Sequence, residues 1–383
     1  MGRMTATRLG RLVGLDVARC LALLGMVATH VLDARTPDGE VATAQLLAGG
    51  RASALFAVLA GVSLALMTRE PLRGRPLVLR SAGIAGRAVL IALLGLLLGG
   101  LDSGVAVILT YYGVLFVLGL PFTVLRLRSL VPLTVGWVVV APAVSHLVRP
   151  HLPERGFDSP SFEQLADPGQ LASELLLTGY YPVVPWLAYL LAGIALGRLD
   201  LRDTSLLGAL ALGGLGTAVL ATRVSGALVD PAVASENATG MYGTTPADGD
   251  WDWLLVVAPH SATPFDLAQT IGSAVLVICA CLLLERLLPR AVTAVLAVVL
   301  GAGAATLTLY SLHVVMLTPQ VWPEEEPSAY VSHVVVLLAL GAVLRLLRRR
   351  GPLEAVAGLP VRLARSAATG DDSRTPQRSG TNR

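Results

Sequence analysis

The chain has 383 residues, 54% of them hydrophobic, and a mean hydropathy of +0.69. This composition is too apolar for a soluble protein of that size and is typical of a polytopic membrane protein. The formal net charge is only +3, so nothing indicates a nucleic-acid partner.

Ten apolar segments are each long enough to cross about 30 Å of hydrocarbon. They predict an all-α polytopic membrane protein with a bundle of about ten transmembrane helices. No segment between them exceeds about 40 residues, which leaves no room for a separate soluble catalytic domain. The segments lie near 12–33, 51–68, 82–101, 104–125, 130–148, 176–197, 204–222, 264–284, 291–318 and 329–347.

The arginines are distributed unevenly along this pattern, and the chain has no lysine. With both termini in the cytoplasm, 23 arginines lie inside, five lie outside, and Arg19 lies within the membrane. The positive-inside rule therefore favours an N-in/C-in orientation. We predict a cytoplasmic N-tail (1–11), a transmembrane domain (12–347) and a disordered cytoplasmic C-tail (348–383), in a multi-pass protein of the cell (plasma) membrane.

The first span carries three ionisable residues, Asp16, Arg19 and His30. Such residues are costly within a bilayer and usually face a bundle interior or a wet cavity that is used for function. Arg19 and His30 are eleven residues apart, about 20° past three full turns, and therefore share one helix face roughly 16 Å apart. Asp16 is one turn before Arg19 and can pair with it. His30 is a candidate general base because imidazole is the side chain whose unperturbed pKa lies nearest neutrality.

The ninth predicted span contains a second histidine, His313, with Tyr310 one turn earlier. In the predicted orientation His313 lies near the outer end of its span, at the depth of His30. The two imidazoles then line one cavity, or His313 is a structural histidine between helices. Both interpretations remain open at this stage.

Four arginines around the start of the third span are candidates for binding a nucleotide phosphate. Guanidinium groups bind phosphate oxygens through paired hydrogen bonds, and Arg80 and Arg87 are seven residues apart, on one helix face. Arg73 and Arg75 lie in the preceding loop. Binding of anionic lipid headgroups is an equally good explanation of this cluster.

A further group of residues lies at the predicted outer ends of the spans and is a candidate acceptor-binding surface. Its aromatic members are also typical of a membrane interface. Asp266 can either bind substrate or orient a histidine. The cysteines suggest no metal site, because Cys279 and Cys281 are two residues apart and point to different helix faces. The candidate acceptor-binding residues are Arg51, Tyr111, Tyr112, Trp186 and Asp266.

Five stretches of the sequence are GLDVARCLALLGMVATH (14–30), GRASALFAVLAGVS (50–63), LTYYGVLF (109–116), PVVPW (182–186) and TLTLYSLH (306–313). Together they resemble the bacterial branch of the heparan-α-glucosaminide N-acetyltransferase family, within the transmembrane acyltransferase superfamily. The spacing from Arg19 to His30 is also similar to an arginine–histidine pair of acyltransferase family 3. Cys20 departs from the glycine that usually follows this arginine. The catalytic histidine of the lysosomal enzyme lies beyond its first helix, so a role for His30 rests on family 3.

The resemblance implies an acyl-CoA-dependent N- or O-acetyltransferase. A cytoplasmic acyl-CoA, most simply acetyl-CoA, would be the co-substrate, and a sugar or glycolipid on the outer side the acceptor. His30, His313, Asp16 and Arg19 would form the catalytic group. Direct transfer and an acyl-histidine intermediate both remain open, as does a homodimer. The alternative is an exporter of a lipid or glycan that uses Arg19 and His30 as a proton relay.

Overall fold

The computed structural model describes residues 12–156, 158–241, 245–246, 250–321 and 328–372. Within these ranges the chain forms α-helices joined by 3-10 turns and loops, and no β-strand, which confirms the prediction of an all-α protein. The predicted N-tail lies outside the described residues. In chain order the helices are α1 (Val13–Val31), α2 (Thr43–Ala48), α3 (Arg51–Met67), α4 (Gly74–Gly99), α5 (Leu109–Gly119), α6 (Leu127–Val148), α7 (Pro168–Ser173), α8 (Val183–Gly197), α9 (Thr204–Leu228), α10 (Pro231–Glu236), α11 (Pro264–Leu287), α12 (Arg290–Val299), α13 (Thr306–Met316), α14 (Ser328–Leu346), α15 (Pro352–Ala357) and α16 (Leu359–Asp372).

Among the described residues, seven helical segments are long and apolar enough to cross a membrane. An eighth span results if Pro168–Thr178 and Val183–Gly197, which meet at a 49° bend, are counted together. Two of the ten predicted spans differ from the expectation. The fourth is a shorter apolar helix, Leu109–Val124, and the ninth is broken into α12 and α13 by a 3-10 turn at Gly301–Ala304.

The break in the ninth span is fixed by a close approach to α1. A Cβ atom on Gly303 would collide with the backbone oxygen of Asp16, so this contact requires glycine. The helix then restarts at Thr306 without a side-chain cap of its own. Its cap comes from α15, where the carboxylate of Glu354 accepts hydrogen bonds from the backbone N–H groups of Leu307, at 2.6 Å, and Thr308, at 3.2 Å.

Small residues also bring the spanning helices together elsewhere in the bundle. A Cβ atom on Gly61 of α3 would lie 2.8 Å from the Cα atom of Gly193 on α8. Gly214 on α9 and Gly272 on α11 make a similar contact. Backbones that approach this closely gain van der Waals contacts, which drive helix association in a membrane.

The helix bundle has two ends, here named the near end and the far end. The near end holds the start of α1, where the Glu285 side chain of α11 accepts a 2.7 Å hydrogen bond from the Gly14 N–H. The far end holds the end of α1 and the start of α3, where Gly50 lies against Pro259.

Residues 352–372 differ from the predicted disordered tail, because they form α15 and α16. These helices pack on α4, where the Gly83 and Gly86 positions lie against Ala364 and Pro360 of α16. Apolar residues between the arginines of this segment explain the packing, although its charge suggested disorder. Residues 373–383 lie outside the described residues.

Candidate functional site

Three histidines from three helices form a chain at the far end. The Nδ1 atom of His30 on α1 lies 3.0 Å from Nε2 of His313 on α13. Nδ1 of His313 lies 2.8 Å from Nδ1 of His333 on α14. His313 is 0% and His333 1% exposed, whereas His30 is partly exposed. The structure thus brings His30 and His313 together, as their predicted depth allowed, and adds His333.

The ion pair predicted on the first helix is present. A guanidinium nitrogen of Arg19 lies 2.9 Å from a carboxylate oxygen of Asp16. The other nitrogen donates a 2.9 Å hydrogen bond to the Ser63 hydroxyl on α3. Asp16 thus fixes one side of the guanidinium and Ser63 the other, which holds Arg19 towards α3.

Arg19 lines a cavity of about 110 Å³ between α1, α3, α4, α5 and α13. A single water molecule needs about 10–15 Å³ of such cavity volume. The cavity therefore accommodates a small group such as the end of an acyl thioester. Its polar lining is concentrated in a few side chains among apolar ones. These are Arg19, Ser63, Arg87, Tyr112, Thr306 and Tyr310.

Helix α13 connects the cavity wall to the histidine chain. Tyr310 lines the cavity and precedes His313 by three residues, a rise of about 4.5 Å. Its hydroxyl accepts a 3.3 Å hydrogen bond from the Ile108 N–H, which fixes the ring at the start of α5. One helical turn therefore separates the cavity wall from the chain that ends at His30.

The four candidate phosphate-binding arginines occupy different surroundings. Arg87 lines the cavity, close enough to Arg19 and Glu354 to interact electrostatically with both. Arg80 donates a 2.6 Å hydrogen bond to the backbone oxygen of Glu70 at the near end. Arg73 and Arg75 are exposed at the start of α4. The structure therefore brings Arg87 to the cavity, whereas the other three arginines do not line it and lie towards the near end of the bundle.

The candidate acceptor-binding aromatics are buried in packing contacts. The Tyr111 hydroxyl accepts a 3.3 Å hydrogen bond from the Tyr180 N–H. Trp186 is 3% exposed and packs edge-on against Tyr181. Tyr112 donates to the backbone oxygen of Ser53 and lines the cavity with Arg19 rather than an outer vestibule.

Asp266 and Arg51 hold a strained loop that precedes α11. Asp266 is 3% exposed, and its carboxylate accepts a 3.0 Å hydrogen bond from the Ala262 N–H. Arg51 lies close enough to interact with it electrostatically. Both His260 and Ala262 have positive φ, at 61° and 52°, which is uncommon for residues other than glycine. Asp266 thus bonds to the loop that carries His260, and both roles considered for it remain predictions.

The histidine of this loop, His260, lies within the aromatic cluster at the far end. Its ring contacts Tyr180 and Tyr181, with centroids 4.7 Å and 5.5 Å away. Its buried Nδ1 atom has no hydrogen-bond partner among the described residues. Burial, and to a lesser extent the nearby His30, lower the pKa of His260 to about 3. His260 is therefore neutral at physiological pH and stands beside His30 as a polar but uncharged group.

Sequence reasoning missed three of these residues. His333 carried a usable signal, since it is an ionisable residue within an apolar span. Glu354 carried none, because its partners Leu307 and Thr308 are 47 and 46 residues away. Ser63 lies within a matched stretch, but only the structure shows its bond to Arg19.

The histidine chain does not have the geometry of a metal site. The two ring nitrogens of His313 point to different partners, His30 and His333, so the three side chains do not converge on one point. No group of three or more histidine, cysteine or acidic residues in the described part of the chain could hold a metal ion.

Comparison with known proteins identifies one family. The family model described as "Heparan-alpha-glucosaminide N-acetyltransferase, catalytic" matches residues 11–214, just over half of the chain. The match includes Asp16, Arg19, His30 and Arg87 and ends before α11. No curated protein matches the chain.

Proposed function

Because this chain belongs to the heparan-α-glucosaminide N-acetyltransferase family, we propose that it transfers an acetyl group from acyl-CoA to a sugar or glycolipid. The protein is a membrane acetyltransferase, as the family and the apolar helices show. In the proposed reaction the donor, acetyl-CoA, enters from the cytoplasm at the near end. The acceptor then binds at the far end, on the outer side of the plasma membrane.

The observation that supports this proposal is the cavity between Arg19 and Tyr310, one helical turn from the histidine chain. Arg19 and Arg87 give the cavity positive charge, and its other walls are mainly apolar. These features suit a thioester that carries phosphates at the opposite end of the molecule. The bulk of CoA would remain at the near end, where Arg80, Arg73 and Arg75 are accessible to its phosphates.

In the proposed reaction His30 acts on the acceptor. Its Nε2 atom takes the proton from an acceptor hydroxyl or amine, whose electron pair forms the new bond to the acyl carbon. The thioester C–S bond breaks, and the CoA thiolate takes the proton back from His30. Atoms and charges then balance without a further reactant. Direct transfer is the simpler form, and an acyl group carried on His30 is the other.

The test uses purified protein in nanodiscs with acetyl-CoA labelled in its acetyl group. We expect CoA release that depends on an amino-sugar or sugar acceptor, with the label in the product. His30→Gln should lower turnover by about 100- to 10,000-fold, the range for loss of a general base. His151→Gln is the matched control, since His151 is exposed and outside the site. Normal turnover in His30→Gln would assign the base to another residue.

Donor binding is tested separately with Arg87→Gln and Arg75→Gln, which alter two arginines of the same helix. We expect Arg87→Gln to weaken acetyl-CoA binding by about 1.5–3 kcal/mol, the scale of a hydrogen bond to a charged group. Arg75→Gln should have a smaller effect, because Arg75 is exposed. Equal affinities in both variants and wild type would assign these arginines to lipid headgroups.

The exporter alternative predicts a different result in the same nanodiscs. An exporter would leave acetyl-CoA intact with every acceptor, whereas the transferase consumes it. Family membership favours the transferase.

A further inference from the structure

The histidine chain has one accessible end and two buried members. His30 is partly exposed, and its Nε2 atom has no hydrogen-bond partner among the described residues. Behind it, His313 and His333 are almost completely shielded from solvent. The contact between His30 and His313, at 3.0 Å, and the contact between His313 and His333, at 2.8 Å, are both within hydrogen-bond distance.

When all three imidazoles are neutral, the histidine chain has two possible hydrogen-bonding states. A neutral imidazole has one N–H donor and one acceptor nitrogen, so each of the two hydrogen bonds has one direction. In the first state His30 donates from Nδ1 to His313, which donates from Nδ1 to His333, and Nε2 of His30 keeps its lone pair. In the second state every bond is reversed, and Nε2 of His30 carries a proton.

We propose that His313 and His333 are positioning residues that hold His30 in the first state, with a free lone pair on Nε2. The inference rests on the proposed function, in which that lone pair receives the acceptor proton. His333 acts through His313, since its ring nitrogen accepts the His313 proton and thereby leaves Nε2 of His313 as an acceptor for His30.

The buried members also determine where the transferred proton stays. A charge on His313 or His333 would be removed from water, which is costly, whereas His30 is partly exposed. The proton therefore remains on His30. Its Nδ1–H bond to His313 then becomes charge-assisted and about twice as strong, which stabilises the imidazolium during transfer. Among the described residues, His260 also lies near His30, and it stays neutral.

The first experiment measures the tautomers without using turnover. Protein labelled with ¹⁵N-histidine in nanodiscs is examined by NMR, and the His30 signals are assigned from the His30→Gln spectrum. We expect His30 in the wild type to carry its proton on Nδ1, and in His333→Leu to carry it on Nε2. A wild-type His30 protonated on Nε2 would overturn the inference, whatever the activity of the protein.

The second experiment measures turnover in the His333 variants. We expect His333→Leu to lower kcat at least tenfold with little change in the KM for acetyl-CoA, and to shift the pH profile of kcat/KM. His333→Gln should recover most of kcat, because its side-chain oxygen can accept the His313 proton. His151→Gln is again the control.

The two experiments separate failure of the inference from failure of the proposed function. A wild-type protein that never consumes acetyl-CoA with any acceptor would refute the transferase proposal, while the NMR result would still decide the tautomer. Unchanged kcat in a folded His333→Leu, despite turnover by the wild type, would refute the positioning role alone.

Discussion

The cap on α13 gives a prediction that can be worked out from individual hydrogen bonds. In Glu354→Ala, two backbone N–H groups and the Thr308 hydroxyl lose their acceptor. An unsatisfied buried donor costs about 1–3 kcal/mol, and water can replace part of the loss because these contacts are only part-buried. We therefore expect the free energy of unfolding to fall by about 2–4 kcal/mol. The start of α13, which carries Tyr310 and His313, should loosen first.

The measurement is thermal unfolding in nanodiscs, combined with steady-state kinetics. Glu354→Gln retains an acceptor oxygen and should keep more of the stability than Glu354→Ala. Glu236→Ala on α10 is the matched control, because Glu236 is exposed. Since α13 lines the cavity, Glu354→Ala should also raise the KM for acetyl-CoA. A Glu354→Ala protein as stable as the control would refute the argument that this carboxylate holds α13.

Three further predictions follow from the charges and the orientation of the bundle. Arg19→Gln should lower the free energy of unfolding by up to about 3–5 kcal/mol, the cost of breaking a buried pair. The loss is smaller if water reaches the pair, in which Arg19 is 23% and Asp16 11% exposed. In thermal unfolding, adding Asp16→Asn should recover part of the loss. Unfolded histidine titrates near pH 6.5 but folded His260 near 3, so stability should fall as pH drops below about 6.5. His260→Asn, which tolerates positive φ, should reduce the difference in melting temperature between pH 7 and pH 5. A membrane-impermeant maleimide on intact cells should label Ala234→Cys, on the predicted outer side, and not Ala367→Cys; the opposite pattern would contradict the N-in/C-in orientation.

Sequence reasoning succeeded where the relevant geometry is local to one helix. The pairing of Asp16 with Arg19 follows from their three-residue spacing, and the structure shows it at 2.9 Å. The depth of His30 and His313 could likewise be estimated from the rise per residue. Their contact could not, because 283 residues separate them and helix order in a bundle is not encoded by periodicity.

The far-end aromatics show why exposure is harder to predict than membrane depth. Tyr111 and Trp186 were expected at an interface, where aromatic residues are enriched. Tyr111 instead contacts Tyr180 and Tyr181. The segment before α11 places His260 parallel to the ring of Trp186, with centroids 6.5 Å apart. Hydropathy gives a similar signal for a ring that faces lipid headgroups and for one covered by a loop.

The charges around the cavity suit a donor that carries phosphates. Arg19 and Arg87 line the cavity, whereas their partners Asp16 and Glu354 are absent from its lining among the described residues. Asp16, which is paired with Arg19, and Glu354, which interacts electrostatically with Arg87, lower the cost of burying two guanidinium groups in a membrane. A thioester in the cavity nevertheless lies beside the guanidinium groups rather than beside the carboxylates.

Arg19 lies roughly 16 Å along α1 from His30, and its guanidinium is bonded to Asp16, on the side away from His30. In the proposed reaction these guanidinium groups therefore bind the donor, and His30 acts on the acceptor. The helix dipole of α13 adds little, because it amounts to about half a charge and Glu354 already accepts hydrogen bonds from its first N–H groups. The arginines, rather than the broken helix, therefore supply the positive charge of the proposed donor site. The break in the ninth span serves instead to set Tyr310 and His313 at the depth where α1 presents His30.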